Sequence, residues 1–267
     1  QKELENEVRL YTPSALAGEE ILLFHHTIGS DTLDQVWQQG IPFFLIYHNI
    51  TPAEFFIGRD PVLTRQLERG REQLEKIRPI TRLALAASSY SEKELKDLDF
   101  TETGVLPIVL DEAKYDLPID SHIQAKCRTF GPLLLFVGRI APNKRQEDLI
   151  KLLYFYRRFE PDAHLVLVGG LHLKEYVTWL RQFAIRLGVD DAVTFAGQVT
   201  QQEMVTYYRT ADLFISMSEH EGFGKPLIES MYLGLPVLAY AATAVPSTMG
   251  GAGVLFHEKD YESLAEI

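Results

Sequence analysis

Leu133-Leu-Leu-Phe-Val137, closed by Gly138, is the stretch on which the fold turns. Five apolar residues in a row leave no polar face, so a strand built from them must be covered on both sides, as in a parallel sheet. Working outward, the same kind of run returns at His164-Leu-Val-Leu-Val168 before Gly169-Gly170, and in shorter form at 193–195, 213–216, 237–240 and 254–256. Helical spacing fills the gaps, over 146–159, 173–187, 201–210 and 226–233. Gly188 suits the end of the second of these helices, and Thr200 with Glu203 forms a capping box at the start of the third. Strand and helix in strict alternation require βαβ units, so residues 116–267 read as one doubly wound α/β domain.

Residues 1–115 repeat the grammar less fully. Strand candidates lie at 21–24, 43–47, 83–87 and 105–109, the last interrupted by Pro107, with helices at 32–39, 61–78 and 91–98. Ser91 and Glu94 offer a capping box for the third helix. Four strands are few for an open sheet, so this first domain is expected to be small or incomplete. Residues 110–132 show no clean period and read as a connection with some local order. A first residue other than Met, and an end inside a helical pattern at 260–267, lead to the expectation of a fragment.

The 267 residues are 46% hydrophobic and 24% charged, the composition of a globular chain with a real core. A net charge of −11 is unsuited to general nucleic-acid binding, which needs a basic footprint. The single cysteine, Cys127, excludes an internal disulfide and a multi-cysteine metal site, and fits a reducing cytosol. The apolar runs are too short to span a bilayer. Residues 59–82 carry seven basic side chains against four acidic ones, a local +3. Because the signs are mixed, a solvated face with i,i+4 pairs is the preferred reading, with contact to an anionic membrane surface left open.

Ligands of open α/β sheets bind beyond the carboxyl ends of the strands. No G-x-G-x-x-G follows a strand, and there is no G-x-x-x-x-G-K-[ST], which argues against a dinucleotide-dependent dehydrogenase and a P-loop NTPase. The loop Gly138-Arg139-Ile-Ala-Pro142-Asn143-Lys144 places two cations at a strand end, suited to a diphosphate or simply to solvent. Gly169-Gly170 fits a tight turn as readily as a ligand contact. The strongest signal is Glu219-His-Glu221-Gly222-Phe223-Gly224-Lys225-Pro226-Leu227-Ile-Glu229. Pro226 marks a helix start, Gly222 and Gly224 permit close backbone approach, and helix-start N–H groups attract an anion. Glu229, one turn into that helix, is placed to accept a pair of sugar hydroxyls, and Glu221 to reach a second polar group. His48, and His25 with His26, stand at two neighbouring strand ends of the first half and suggest one face of a cleft. With no carboxylate or cysteine at ligand spacing they do not read as a metal site.

This constellation resembles the retaining glycosyltransferases of family 4, which have the two-domain GT-B fold, and the resemblance covers most of the chain. It implies two Rossmann-like doubly wound α/β domains, here 1–115 on the acceptor side and 116–267 holding the nucleotide-sugar, with the first incomplete. Nothing in 1–18 matches the opening strand and glycine-rich loop of family members, and their closing C-terminal helix is missing. The resemblance assigns catalysis to Arg139, Lys144, Glu221 and His48. Arg139 and Lys144 would neutralise the donor diphosphate, Glu221 and Glu229 would be the two acids of an E-x7-E motif, and His48 would lie near the transferred sugar. Gly138, Gly169, Gly170, Val199, Gly222, Phe223, Gly224, Lys225, Pro226, Leu227 and Glu229 would bind the donor, Glu229 at the ribose and Val199 near the base.

The implied reaction moves a sugar from a GDP- or UDP-linked donor, with retention and without a metal or other cofactor. The acceptor would be a glycan or lipid-linked saccharide in polysaccharide assembly. Such an enzyme is expected in the cytoplasm, with contact to the inner face of the membrane left open, and without a nucleic-acid partner. A nucleotide-sugar-binding fragment without turnover and a GT-B sugar-nucleotide epimerase remain as alternatives. The Glu221–Pro226 loop favours the transferase.

Overall fold

A computed structural model describes residues 22–39 and 41–266. Residues 1–18, Ile21 at the start of the first expected strand, Gly40 and the last residue of the 260–267 pattern lie outside the described residues. Two compact units are present. One comprises the residues up to Ala53 together with Val62–Leu106, and the other Glu54–Pro61 together with Pro107 onward.

The first unit carries β1 (Leu22–His26), α1 (Asp31–Gln38), β2 (Phe43–Tyr47), α2 (Pro61–Ile77), β3 (Thr81–Ala86), α3 (Ser89–Asp97) and β4 (Thr103–Val105). Its sheet is parallel in the order β1-β2-β3-β4. Four sequence expectations are corrected here. The first strand runs over Leu22–His26 rather than 21–24, with His25 and His26 as its last two residues. Ser88 caps α3, because its hydroxyl oxygen is the one that accepts from Ser91 N, and Ser91 is already helical. The fourth strand ends at Val105, before Pro107, which has no N–H for a ladder. The cations of α2 reach other elements: Arg69 pairs with Asp31 and Asp34, and Arg71 with Glu94, so this face is partly structural.

The second unit holds α4 (Ser121–Cys127), β5 (Leu133–Val137), α5 (Gln146–Tyr156), β6 (His164–Val168), α6 (Lys174–Leu187), β7 (Val193–Gly197), α7 (Gln201–Thr210), β8 (Leu213–Ser216), α8 (Lys225–Tyr232), β9 (Val237–Tyr240), α9 (Val245–Met249), β10 (Val254–Phe256) and α10 (Tyr261–Ala265). The capping box at Thr200 and the left-handed Gly188 after α6 are present. The stretch 110–132 is more ordered than its sequence suggests, with α4 capped by Asp120 and packed near α7. The short helix α9 was not expected.

The sheet is parallel in the order β10-β9-β8-β5-β6-β7. Successive side chains of β5 point to opposite faces. Leu134 and Phe136 join a core with α5, α6 and α10, while Leu133, Leu135 and Val137 join another with α7, α8 and α9. All five are buried, which is why the run needs no polar position. The winding reverses beside β5: the chain goes outward through β6 and β7, then returns to β8 on the other side. The pairing of β5 with β8 is confined to Leu134 with Leu213 and Leu135 with Phe214, so the two strands part towards their carboxyl ends.

Candidate functional site

That reversal defines where a ligand crevice forms in such sheets. The loops after β5 and β8 emerge side by side, and their backbones are tied: Glu219 N donates to Asn143 O at 2.9 Å, and Asn143 Nδ2 and Lys144 Nζ both donate to His220 O at 3.3 Å. The loops after β5 and β6 are tied as well. Gly138 N bonds Val168 O, and Gly169 N bonds Gly197 O at the end of β7. A Cβ on Gly169 would lie 1.8 Å from Gly138 O, so only glycine permits this approach.

Lys144 therefore stands beside Glu221, with Gly138 and Arg139 earlier in the same loop, Gly169 and Gly170 at the adjoining strand end and Val199 just beyond β7. Arg139 is exposed and makes no ion pair among the described residues. Lys144 Nζ lies 2.6 Å from Glu221 Oε1, and both side chains are largely buried. Gly224 adopts φ +85 and turns the chain into α8, with Lys225 as its first residue and Pro226 as its second rather than its first. Leu227 anchors the start of α8 in the core. From the loop after β9, Thr243 Oγ1 accepts from Glu221 N and donates to Glu221 O, and from α9 Thr248 donates to Phe223 O.

Glu229 is 3% exposed and triply bonded. Tyr115 OH donates to Oε1 at 2.6 Å, Tyr208 OH to Oε2 at 2.8 Å, and Lys225 Nζ lies 3.0 Å from Oε1. Burial and the adjacent carboxylate raise both phenols, so they stay protonated donors. Sequence reasoning missed both tyrosines: Tyr115 sits in the aperiodic connection, and Tyr208 lies within α7, away from the loops that follow strands.

Arg145 was missed too. It occupies a left-handed conformation, φ 51, where glycine is the usual residue, and pairs with Glu219 at 2.7 Å and Glu147 at 3.2 Å. Lys259 bridges Glu219 and Asp148 at 3.0 and 2.8 Å. Burial pushes the Glu219 carboxyl up, but bonds from Arg145 and Lys259 outweigh it and hold it below the usual carboxylate range. This network braces the back of the β5 and β8 loops.

His48 follows β2 in the first unit. Its ring stacks on His25 at 5.1 Å, with Nε2 2.8 Å from His25 Nδ1. Burial, then the neighbouring His25, lower its pKa, favouring a neutral ring. Asn49 beside it has φ 75, and its Nδ2 donates to Glu94, which also receives Tyr47 OH and Arg71. Among the described residues no three His, Cys, Asp or Glu side chains are grouped to hold a metal ion, and no helix is long and apolar enough to cross a membrane.

Comparison with known proteins follows the same lines. The family model described as Glycosyl transferases group 1 matches residues 123–267. Mannosylfructose-phosphate synthase of Agrobacterium fabrum is 37% identical over 113 residues, 40% of this chain and 25% of that protein. The GDP-mannose-dependent α-(1-6)-phosphatidylinositol monomannoside mannosyltransferase of Mycobacterium tuberculosis is 33% identical over 125 residues, 44% of this chain and 32% of that protein. The match thus spans about a quarter to a third of each relative. Among solved structures, Anabaena HepE in complex with UDP and glucose superposes with a TM-score of 0.72 at 20% identity, covering 95% of this chain and 68% of that one. At that identity the likeness shows the GT-B fold, with its Rossmann-like domains, and nothing finer.

Proposed function

The chain belongs to the group 1 glycosyl transferases, and from that premise we propose that it moves a sugar from a GDP- or UDP-linked donor to a glycan or lipid-linked acceptor in polysaccharide assembly, with retention of configuration. The observation that carries this reading is the pairing of Lys144 with Glu221, 2.6 Å apart where β5 and β8 diverge. A cation and a carboxylate side by side suit a ligand whose phosphate and sugar hydroxyls are adjacent. GDP-mannose in the name of one relative, and UDP with glucose in the complex of the solved neighbour, support the same ligand class.

In this reading Arg139 and Lys144 take up charge as the nucleoside diphosphate departs, with the N–H groups at the start of α8, so no metal is needed for that task. Glu221 accepts from hydroxyls of the transferred sugar, and Glu229 from the ribose. Gly138, Gly169, Gly170 and 222–227 bring backbone against the donor, with Val199 beside the base. His48, neutral near pH 7, serves as a hydrogen-bonding group at the transferred sugar. Residues 116–267 hold the donor and 1–115 the acceptor side. A lipid-linked acceptor would bring the cytoplasmic enzyme to the inner face of the membrane.

Thermal shifts with GDP, UDP and ADP, in EDTA, test the donor site. A ligand at about a hundred times its Kd adds roughly 2.7 kcal/mol. A shift for one nucleotide that weakens in Lys144→Ala and Glu229→Ala is the expected result. A cooperative melt that no nucleotide moves overturns the reading.

A further inference from the structure

Glu229 has too many donors for the role proposed above. Each carboxylate oxygen offers two lone-pair sites. Tyr115 OH and Lys225 Nζ occupy Oε1, and Tyr208 OH takes one site on Oε2. A vicinal diol bound by both oxygens needs one site on each, and Oε1 has none left. One protein donor must therefore yield before a ribose can be held.

The three donors are not equally able to move. Tyr115 and Tyr208 are 2% and 1% exposed, and their rings are packed in the fold, Tyr208 among the core residues beneath α8. Their hydroxyls cannot swing away without opening that packing. Lys225 has a side chain 46% exposed on a four-carbon stem, at the first residue of α8. It also stands where an ammonium is least at home, beside the positive end of a helix dipole, and an anion there would draw it.

We infer that Lys225 is a displaceable counter-ion of Glu229. It must leave Oε1 for the ribose to bind, and the diphosphate of the same ligand is what takes up its charge. The inference rests on the reading of Glu229 as the ribose acceptor. It makes Lys225 a specificity-determining residue: a nucleoside must break the Lys225–Glu229 pair with nothing offered in return, whereas a nucleoside diphosphate compensates. The site thus discriminates against nucleosides lacking a phosphate. Lys144 on Glu221, across the loops after β5 and β8, is likewise a lysine held on a carboxylate.

The consequence is a change of opposite sign for two related ligands. Titration calorimetry with uridine, UDP, guanosine and GDP, competitive where binding is weak, is carried out on the unaltered chain, Lys225→Met, Glu229→Gln and the double variant. For the base that binds, Lys225→Met is expected to hold the nucleoside about two- to fivefold more tightly, the weight of a half-exposed pair. It is expected to hold the diphosphate about tenfold less tightly. The nucleoside gain should vanish in the Glu229→Gln background, since the competing pair is already broken there. Lys225→Ala repeats the measurement, and melting curves confirm that each variant is folded. If the unaltered chain binds UDP or GDP but the nucleoside gains nothing on removal of Lys225, the displacement is overturned. If the unaltered chain binds neither diphosphate, the donor-site reading itself falls and takes this inference with it.

Discussion

Tyr115 donates a 2.6 Å hydrogen bond to Glu229 Oε1 across 114 positions of chain. The connection before α4 and the helix α8 are thereby locked together through a buried carboxylate. Loss of the hydroxyl in Tyr115→Phe leaves Oε1 to Lys225 alone. The variant is expected to lose about 1.5–3 kcal/mol of stability, the worth of a hydrogen bond to a charged group. Nucleotide affinity should rise, because the lost hydroxyl frees a site on Oε1 for the ribose. Denaturant titration and nucleotide titration check the two effects, and a variant unchanged in both would show that the contact carries no weight.

Lys144 and Glu221 are each other's charge partners in a largely buried setting. Lys144→Ala is expected to cut kcat for sugar transfer by about a hundredfold, by analogy with the loss of one transition-state donor. Single-turnover kinetics with saturating donor separate this from weaker binding. A fully active variant contradicts the assignment.

Gly169 faces Gly138 so closely that no side chain fits, since an added Cβ would meet a carbonyl oxygen at 1.8 Å. Backbone must shift to admit one. Gly169→Ala is therefore expected to destabilise by about 3 kcal/mol or more. Gly188→Ala, whose Cβ meets nothing, serves as a comparison for left-handed strain without a clash. Equal melting temperatures for the two would refute the close-approach argument.

Arg145 holds φ 51 while bonding Glu219 and Glu147. Both Arg145→Ala and Arg145→Gly lose those pairs, but glycine relieves the left-handed conformation. Arg145→Gly should be the more stable of the two by about 1 kcal/mol. The reverse order in chemical denaturation would show that the backbone there is unstrained.

His164 stacks on Phe130 with a centroid distance of 3.7 Å and shares a 2.8 Å bond with Thr194. Burial, then Lys126 and Arg157, push it down to about 4 from its ordinary 6.5. The unfolded chain therefore binds a proton that the folded chain refuses as the pH falls through 6.5 towards 4. Stability is full above 6.5 and declines across that window, by at most about 3 kcal/mol. Melting temperatures from pH 7 to 4 should fall more steeply for the unaltered protein than for His164→Gln, and parallel curves would rule out the histidine as the cause.

Much of the candidate site was legible because its residues lie just after strands or at a helix start. Runs such as Leu133–Val137 mark the strands, the alternation with helices orders them, and the loops that follow are then the places to search. Glu219–Glu229 stood out because glycines, a lysine and a proline surround the paired acids within one loop and helix start. Arg145 did not stand out, because nothing in an arginine announces a positive φ. Ser91 was mistaken for a cap because Ser88 has the same chemistry three residues earlier. Which hydroxyl accepts depends on backbone angles that the sequence does not print.

What the amino-acid sequence determined by itself is local and periodic. Apolar runs without a polar face force a doubly covered parallel sheet, and short-range spacing places Arg139, Lys144, Glu221 and Glu229 after strands or at a helix start. Only the tertiary structure decided who meets whom. The sheet order β10-β9-β8-β5-β6-β7 brings Lys144 to Glu221, and the path of the connection before α4 brings Tyr115 to Glu229. The physical reason is that a buried carboxylate takes whatever donors the packing delivers to it. Packing joins residues more than a hundred positions apart, over distances on which no periodicity or spacing bears.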